Sequence, residues 1–227
     1  MTFTGFPKAG FAFFRELAAH NDRDWFEAHR AAWDEQIVPA MALLCTELKA
    51  RVADVLPGLQ LVPRVGGSLL RLNRDVRFSR DKSPFKTHAA ALLWEGEDKS
   101  VSPAFYLQIS PESVVLSGGL WIFEEGQLDR YRKRLMLPAS GGRLDDALAA
   151  AAKAGMTPDA HEKLPKPPRG ISPEHARAEL SKHKGMVASR TQKAGAWVHT
   201  PELLDRAEEA ARAYAPLHKW LREELIG

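Results

Sequence analysis

The chain has 227 residues, 44% of them hydrophobic and 27% charged, which is enough apolar material for a sizeable core and excludes a disordered polypeptide. Its 32 Lys and Arg exceed its 29 Asp and Glu by three, a balance too mild to mark a nucleic-acid binder from net charge. The single cysteine, Cys45, excludes a disulfide-stapled scaffold, and the longest clean apolar run, AAALLW at 89–94, is too short to span a membrane.

The amino terminus, MTFTGFPKAGFAFF, has no long apolar core ahead of a small-residue cleavage site, so a cytoplasmic location is expected. Phe11, Phe13, Phe14 and Leu17 suit a short helix after Gly10. A sharper start follows: Asn21 or Asp22 can cap a helix through its short polar side chain, and Asp24 sits at the positive end of its dipole. Trp25, His29, Trp33, Ile37, Met41, Leu44 and Leu48 keep helical spacing and mark a buried stripe. On that stripe His29 reads as a half-buried packing residue. Pro39 removes a backbone donor and should kink this helix or begin another.

Beyond Pro57 the pattern turns to strands, at 68–73, 88–95, 103–110 and 113–120, separated by turn residues. The last two are so close that a hairpin through Pro111 and Glu112 is expected, and spacing too short for crossover helices favours antiparallel pairing. Gly118 and Gly119 suggest a strand end or bulge. Helices are expected again at 124–136 and 143–155. Thr157–Pro158–Asp159, Ser172–Pro173–Glu174 and Thr200–Pro201–Glu202 each combine a hydroxyl cap, a proline and a first-turn acid, the pattern of a helix start. The last of these should lead a helix toward residue 225, bent at Pro216. The prolines of KLPKPPRGI at 163–171 enforce an extended arm. The expected architecture is α+β, one domain over 1–227. Helices at 9–55 and 124–226 flank a central antiparallel sheet of about four to six strands, its strand region at 66–121.

The segment Arg71–His88, RLNRDVRFSRDKSPFKTH, carries six Lys and Arg against two Asp, a local excess larger than that of the whole chain. Guanidinium groups grip phosphate or carboxylate oxygens in pairs. Ser83–Pro84 resembles a cap and first-turn pair that leaves the amides of Phe85 and Lys86 free for an anion. Arg74, Arg77, Arg80, Lys82, Ser83 and Lys86 are therefore the expected ligand-binding residues, with Arg169, on the proline arm, completing the wall. The bland alternative is an ion network on a solvated loop, in which Asp75 and Asp81 neutralise their arginine neighbours.

No glycine-rich phosphate loop, HExxH, GxSxG or CxxC pattern is present, so no well-known chemistry is signalled and the cofactor stays unknown. His175 and His183, about two helical turns apart, are too far separated to share one metal, and no metal site is expected. The partner expected first is an anionic small molecule. The enzyme alternative uses the same pocket, with His88 or His175 as general acid/base and Asp75 or Asp81 orienting it. A further alternative is single-stranded nucleic acid, stacked on Phe78, Phe85 and Tyr106. No membrane partner is expected, and the sequence does not set an oligomeric state.

RDVRFSRDKSPFKTH resembles the signature block of the bacterial and fungal family called domain of unknown function 2461. The resemblance extends to NDRDWFEAHR, AFYLQISPESVVLSGGLW and KLPKPPRGISPEH, in the expected order over most of the chain. It implies a single domain and no assigned reaction. Phe85 stands where tyrosine is expected, His20 precedes Asn21 in place of a second asparagine, and His175 is followed by Ala176 in place of proline.

Overall fold

The computed structural model describes residues 2–226. Helices α1 (Lys8–Ala19) and α2 (Arg23–Ala32) open the chain. Asp22 is the cap of α2, its carboxylate accepting from the Trp25 amide at 2.8 Å. Replacing it with alanine orphans that amide, and Asp22→Ala should lower stability by about 1 kcal/mol, read as a lower urea midpoint.

Pro39 stands in the first turn of a new α-helix, the second of the two outcomes expected for it. Before it, α2 widens into one π-helical turn over Trp33–Ile37, where the Val38 amide reaches the Trp33 carbonyl, and α3 (Val38–Arg51) follows. The widened turn lies where Pro39 has no amide to donate. Trp33, Ile37, Met41, Leu44 and Leu48 are buried as their spacing predicts. His29 departs from the stripe: it is exposed and stacks on Trp25 at 4.0 Å.

The sheet has five strands in the order β1-β2-β3-β5-β4, all antiparallel: β1 Ala89–Trp94, β2 Ala104–Ile109, β3 Ser113–Leu120, β4 Thr157–Asp159 and β5 Met186–Lys193. The α+β architecture is the expected one. β2 and β3 form the anticipated hairpin, with Ile109 opposite Val114 and the Ser110 amide donating to Ser113 O. Period-2 alternation divides the sheet into two faces. Phe105, Leu107, Ile109, Val114, Leu116 and Ala188 join the apolar core, which runs from Phe3 to Leu225. Helices α3, α5 (Pro138–Lys153) and α7 (Glu202–Leu221) pack together over that face. Leu92, Tyr106, Gln108, Val115, Ser117 and Ser189 lie on the opposite face.

Four expectations need correction. Residues 68–73 form no continuous strand, only a short antiparallel contact with β1 in which the Leu70 amide donates to Ala90 O and the Leu92 amide to Ser68 O. Leu69 spends its own amide and carbonyl on the turn at Arg64 and Gly66. Thr157–Pro158–Asp159 is edge strand β4, not a helix start. Pro158 is tolerated there because an edge strand needs no ladder bond on its outer side. The strands are thus not confined to 66–121. After Ser172–Pro173–Glu174 the chain makes turns and one four-residue helix, α6 (Ala178–Ser181), before β5 claims it at Met186. His183 lies beyond α6, bridged to Lys163, so it shares no helix face with His175. Finally, α5 begins at Pro138, earlier than expected, with proline at its first position. The helix α4 (Glu125–Met136) and the start of α7 at Thr200–Pro201–Glu202 agree with their sequence signals. No helix among the described residues is long and apolar enough to cross a membrane.

Candidate functional site

The uncovered sheet face forms the floor of a cavity of about 670 Å3, a volume suited to a small organic molecule. Leu92, Val115 and Val187 give it apolar ground, crossing from β1 through β3 to β5. Polar groups on the same floor are paired with one another. The Tyr106 hydroxyl donates to Gln108 Oε1 at 2.7 Å, and the Ser117 and Ser189 hydroxyls lie 2.7 Å apart. Burial pushes the Tyr106 phenol up to about 12, so it stays a neutral donor at physiological pH. Trp121 and Ile122, leaving β3, supply an exposed apolar wall.

Lys99, Ser100 and Ser102, in the β1–β2 connection, close one side of this cavity. The connection is fixed by local bonds: Asp98 accepts from the Ser100 amide and hydroxyl at 2.8 and 2.7 Å, and Gln127 of α4 donates to Val101 O at 3.1 Å. Lys99 is the only charged side chain lining the cavity among the described residues. It also lines a second hollow of about 360 Å3, together with Arg71, Lys86, Leu69, Leu70 and the Gly66–Gly67 turn. This smaller space gathers three cations and no carboxylate among the described residues.

Each cation is held differently. Lys99 Nζ donates to Gly67 O at 3.1 Å and lies 5.8 Å from the Trp94 ring centroid. Lys86 Nζ donates to Arg71 O at 2.9 Å, and burial lowers its pKa from the usual lysine value. The exposed Arg71 guanidinium lies beside Gly66, where a Cβ would come within 3.5 Å of Nε. Gly66 has φ +80°, a conformation that L side chains rarely adopt, which explains glycine at the bend.

The residues expected from the basic segment fare unevenly. Lys86 alone reaches the lining of a hollow. Arg74 pairs with Asp81 and donates to Ser83 O at 3.1 Å. Arg77 grips Asp75 with two nitrogens, Nε at 3.0 Å and Nη2 at 2.7 Å. Lys82 Nζ donates to the Val76 carbonyl at 3.0 Å. Arg80 is exposed with no carboxylate partner among the described residues. Arg169 is exposed beside Gly170 and lines neither hollow. The anticipated free amides after Ser83–Pro84 are not free, and no helix starts there. The Phe85 amide donates to Asn21 Oδ1 at 3.0 Å and the Lys86 amide to Leu72 O at 2.8 Å. The Ser83 amide is taken by Asp81 at 2.9 Å.

The acid–base candidates also lie outside the lining. His88 precedes β1, half-buried, and burial with the nearby Lys86 charge lowers its pKa to about 4. His175 accepts the Arg177 amide through Nδ1 at 3.0 Å in an exposed turn. Asp75 and Asp81 are the arginine partners just described, and Asp81 is held at about 2 by the Ser83 and Arg74 hydrogen bonds. The three aromatic rings expected to stack bases point to different places. Phe78 is 96% exposed at the loop tip, Phe85 is buried against Phe26, and Tyr106 faces the sheet cavity.

Sequence reasoning passed over Arg71, Lys99, Gln108, Ser117 and Ser189. For Gln108 the signal was the alternation of β2, where Tyr106 and Gln108 interrupt Phe105, Leu107 and Ile109 with polar groups on the other face. Lys99 gave no signal, since only folding brings it beside Gly66 and Lys86. Against known proteins, the family model described as "Conserved hypothetical protein (DUF2461)" matches residues 9–220. No curated protein and no solved structure matches the chain.

Proposed function

The chain belongs to the DUF2461 family of conserved hypothetical proteins, a description that names no reaction, and we propose from the site geometry that it binds a small anionic molecule. The anionic group, a phosphate or carboxylate, is held by Arg71, Lys86 and Lys99. The observation that carries this reading is the gathering of three cations, with no carboxylate among the described residues, around one hollow; one of them also lines the large sheet cavity. Cations gathered around a concave space with no carboxylate to neutralise them attract an anion more strongly than cations already paired on an open loop. Arg74 and Arg77, by contrast, already spend their donors on Asp81 and Asp75. The reading takes the protein to act in the cytoplasm, in keeping with a sequence whose one cysteine, Cys45, can form no internal disulfide.

Native mass spectrometry of the full chain purified from cells should detect a co-purifying anion. Calorimetric titration with phenyl phosphate then locates it. Each charge-assisted bond to such a group contributes about 1.5–3 kcal/mol, so Lys99→Ala and Arg71→Ala should each weaken binding about tenfold or more. Arg77→Ala should leave it unchanged. Loss in Arg77→Ala with none in Lys99→Ala would move the anion to the 74–82 loop and end this assignment.

A further inference from the structure

We infer that the ligand is an anion carrying a planar ring, with its ring system lying on the open sheet face against Trp121 and its anionic group among Lys99, Arg71 and Lys86. This rests on the anion-binding reading and adds the class of the ligand's body.

Two adjoining spaces of opposite character meet at one residue. The smaller is cationic; the larger has apolar ground at Leu92, Val115 and Val187 among mutually paired polar groups, and its sole charge among the described residues is Lys99. Inorganic phosphate would occupy only part of the first and leave the second to water. An anion with an apolar body uses both, and Lys99 sets where the two parts join.

The aromatic surfaces select a ring over a flexible chain. Trp121 is 59% exposed, yet it is anchored: its indole stacks on His161 with centroids 4.6 Å apart and planes 22° from parallel. Its backbone is closely packed as well: a Cβ on Gly185 would fall 2.2 Å from Trp121 O. One face of the indole is therefore occupied by a protein ring and the ring itself is held in place, which makes it a prepared stacking platform. The Tyr106 phenol adds a second ring on the floor, restrained by its bond to Gln108. A pleated floor across β1, β2, β3 and β5 spans about 14 Å at the usual strand spacing, room for fused rings lying flat.

The test is a titration series on the full chain by calorimetry: inorganic phosphate, phenyl phosphate, 1-naphthyl phosphate and octyl phosphate. Affinity should rise about tenfold or more from inorganic phosphate to 1-naphthyl phosphate, with a negative heat-capacity change. Octyl phosphate should bind several-fold more weakly than the naphthyl ester. Trp121→Ala should lose about tenfold toward 1-naphthyl phosphate while binding inorganic phosphate as before. The exposed position of Trp121 makes this variant safe for folding. If 1-naphthyl phosphate binds no better than inorganic phosphate, the ring assignment fails and the anion site stands. Equal affinity for octyl and naphthyl esters, or no effect of Trp121→Ala, likewise overturns the ring. If no member of the series binds, the anion reading and the ring fall together.

Discussion

Gly118→Ala should unfold at a much lower urea concentration than the parent protein, with a loss of about 3 kcal/mol or more. Gly118 lies inside β3 opposite Phe105 and Ala188, on the face covered by α7. A Cβ there would sit 2.2 Å from Tyr214 Cγ, with Cδ1 and Cδ2 at 2.5 and 2.4 Å. Tyr214 cannot yield cheaply. Its ring is fully buried, and its hydroxyl bonds to His218 Nδ1 at 3.0 Å while His218 Nε2 bonds to Glu95. Relieving the overlap means sliding α7 off the sheet or breaking that buried chain. Gly126→Ala is the control: nothing lies within 4 Å of its Cβ on α4, so it should be neutral or stabilising by up to about 1 kcal/mol. Equal midpoints for Gly118→Ala and the parent would show that β3 and α7 are not packed in this way.

Stability should also fall as pH drops from about 6.5 toward 4, with the upper part of the fall, above about pH 5, preceding the carboxylates. Burial lowers the pKa of His88 and of His183 to about 4, with nearby lysines acting in the same direction. His218 is lowered as well, again by burial, although Glu95 opposes the shift. Histidine in the unfolded chain takes up its proton near pH 6.5. Within this window the unfolded state binds more protons than the folded one, so acid favours unfolding. The stability these neutral histidines contribute is present above about pH 6.5 and lost as pH falls. The slope is up to about 1.4 kcal/mol per pH unit for each histidine that stays neutral. Urea midpoints at pH 7.5, 6 and 5 measure it, and His88→Gln should flatten the profile. A flat profile down to pH 4.5 would refute it. Asp81 and Asp75, held down by their hydrogen bonds, act only at lower pH, where their protonation removes a second contribution.

Local signals carried much of the fold. The Asp22 cap, the apolar stripe ending at Leu48, the hairpin through Pro111 and the start of α7 each depend on residues a few positions apart. Such patterns survive in one dimension because their physics is short-range: capping, period and turn chemistry. Thr157–Pro158–Asp159 shows the limit. Its local chemistry fits a helix start, and it becomes a strand because β5, some thirty residues later, offers Ser189, Ala188 and Val187 to pair with it. Long-range pairing decides such a segment, and an edge position makes its proline harmless.

The candidate site divides along the same line. The sequence alone located an excess of positive charge at 71–88 and a strand at 103–110, but not the polar face that strand presents. It did not say which charges were spent. Arg74 and Arg77 meet Asp81 and Asp75 within their own loop. Arg71 and Lys86 are left facing Lys99, which arrives from the far end of β1. Charge composition is a property of the chain, but an unopposed cation is a property of distance. Coulomb attraction acts over a few ångströms, and only tertiary packing sets those separations.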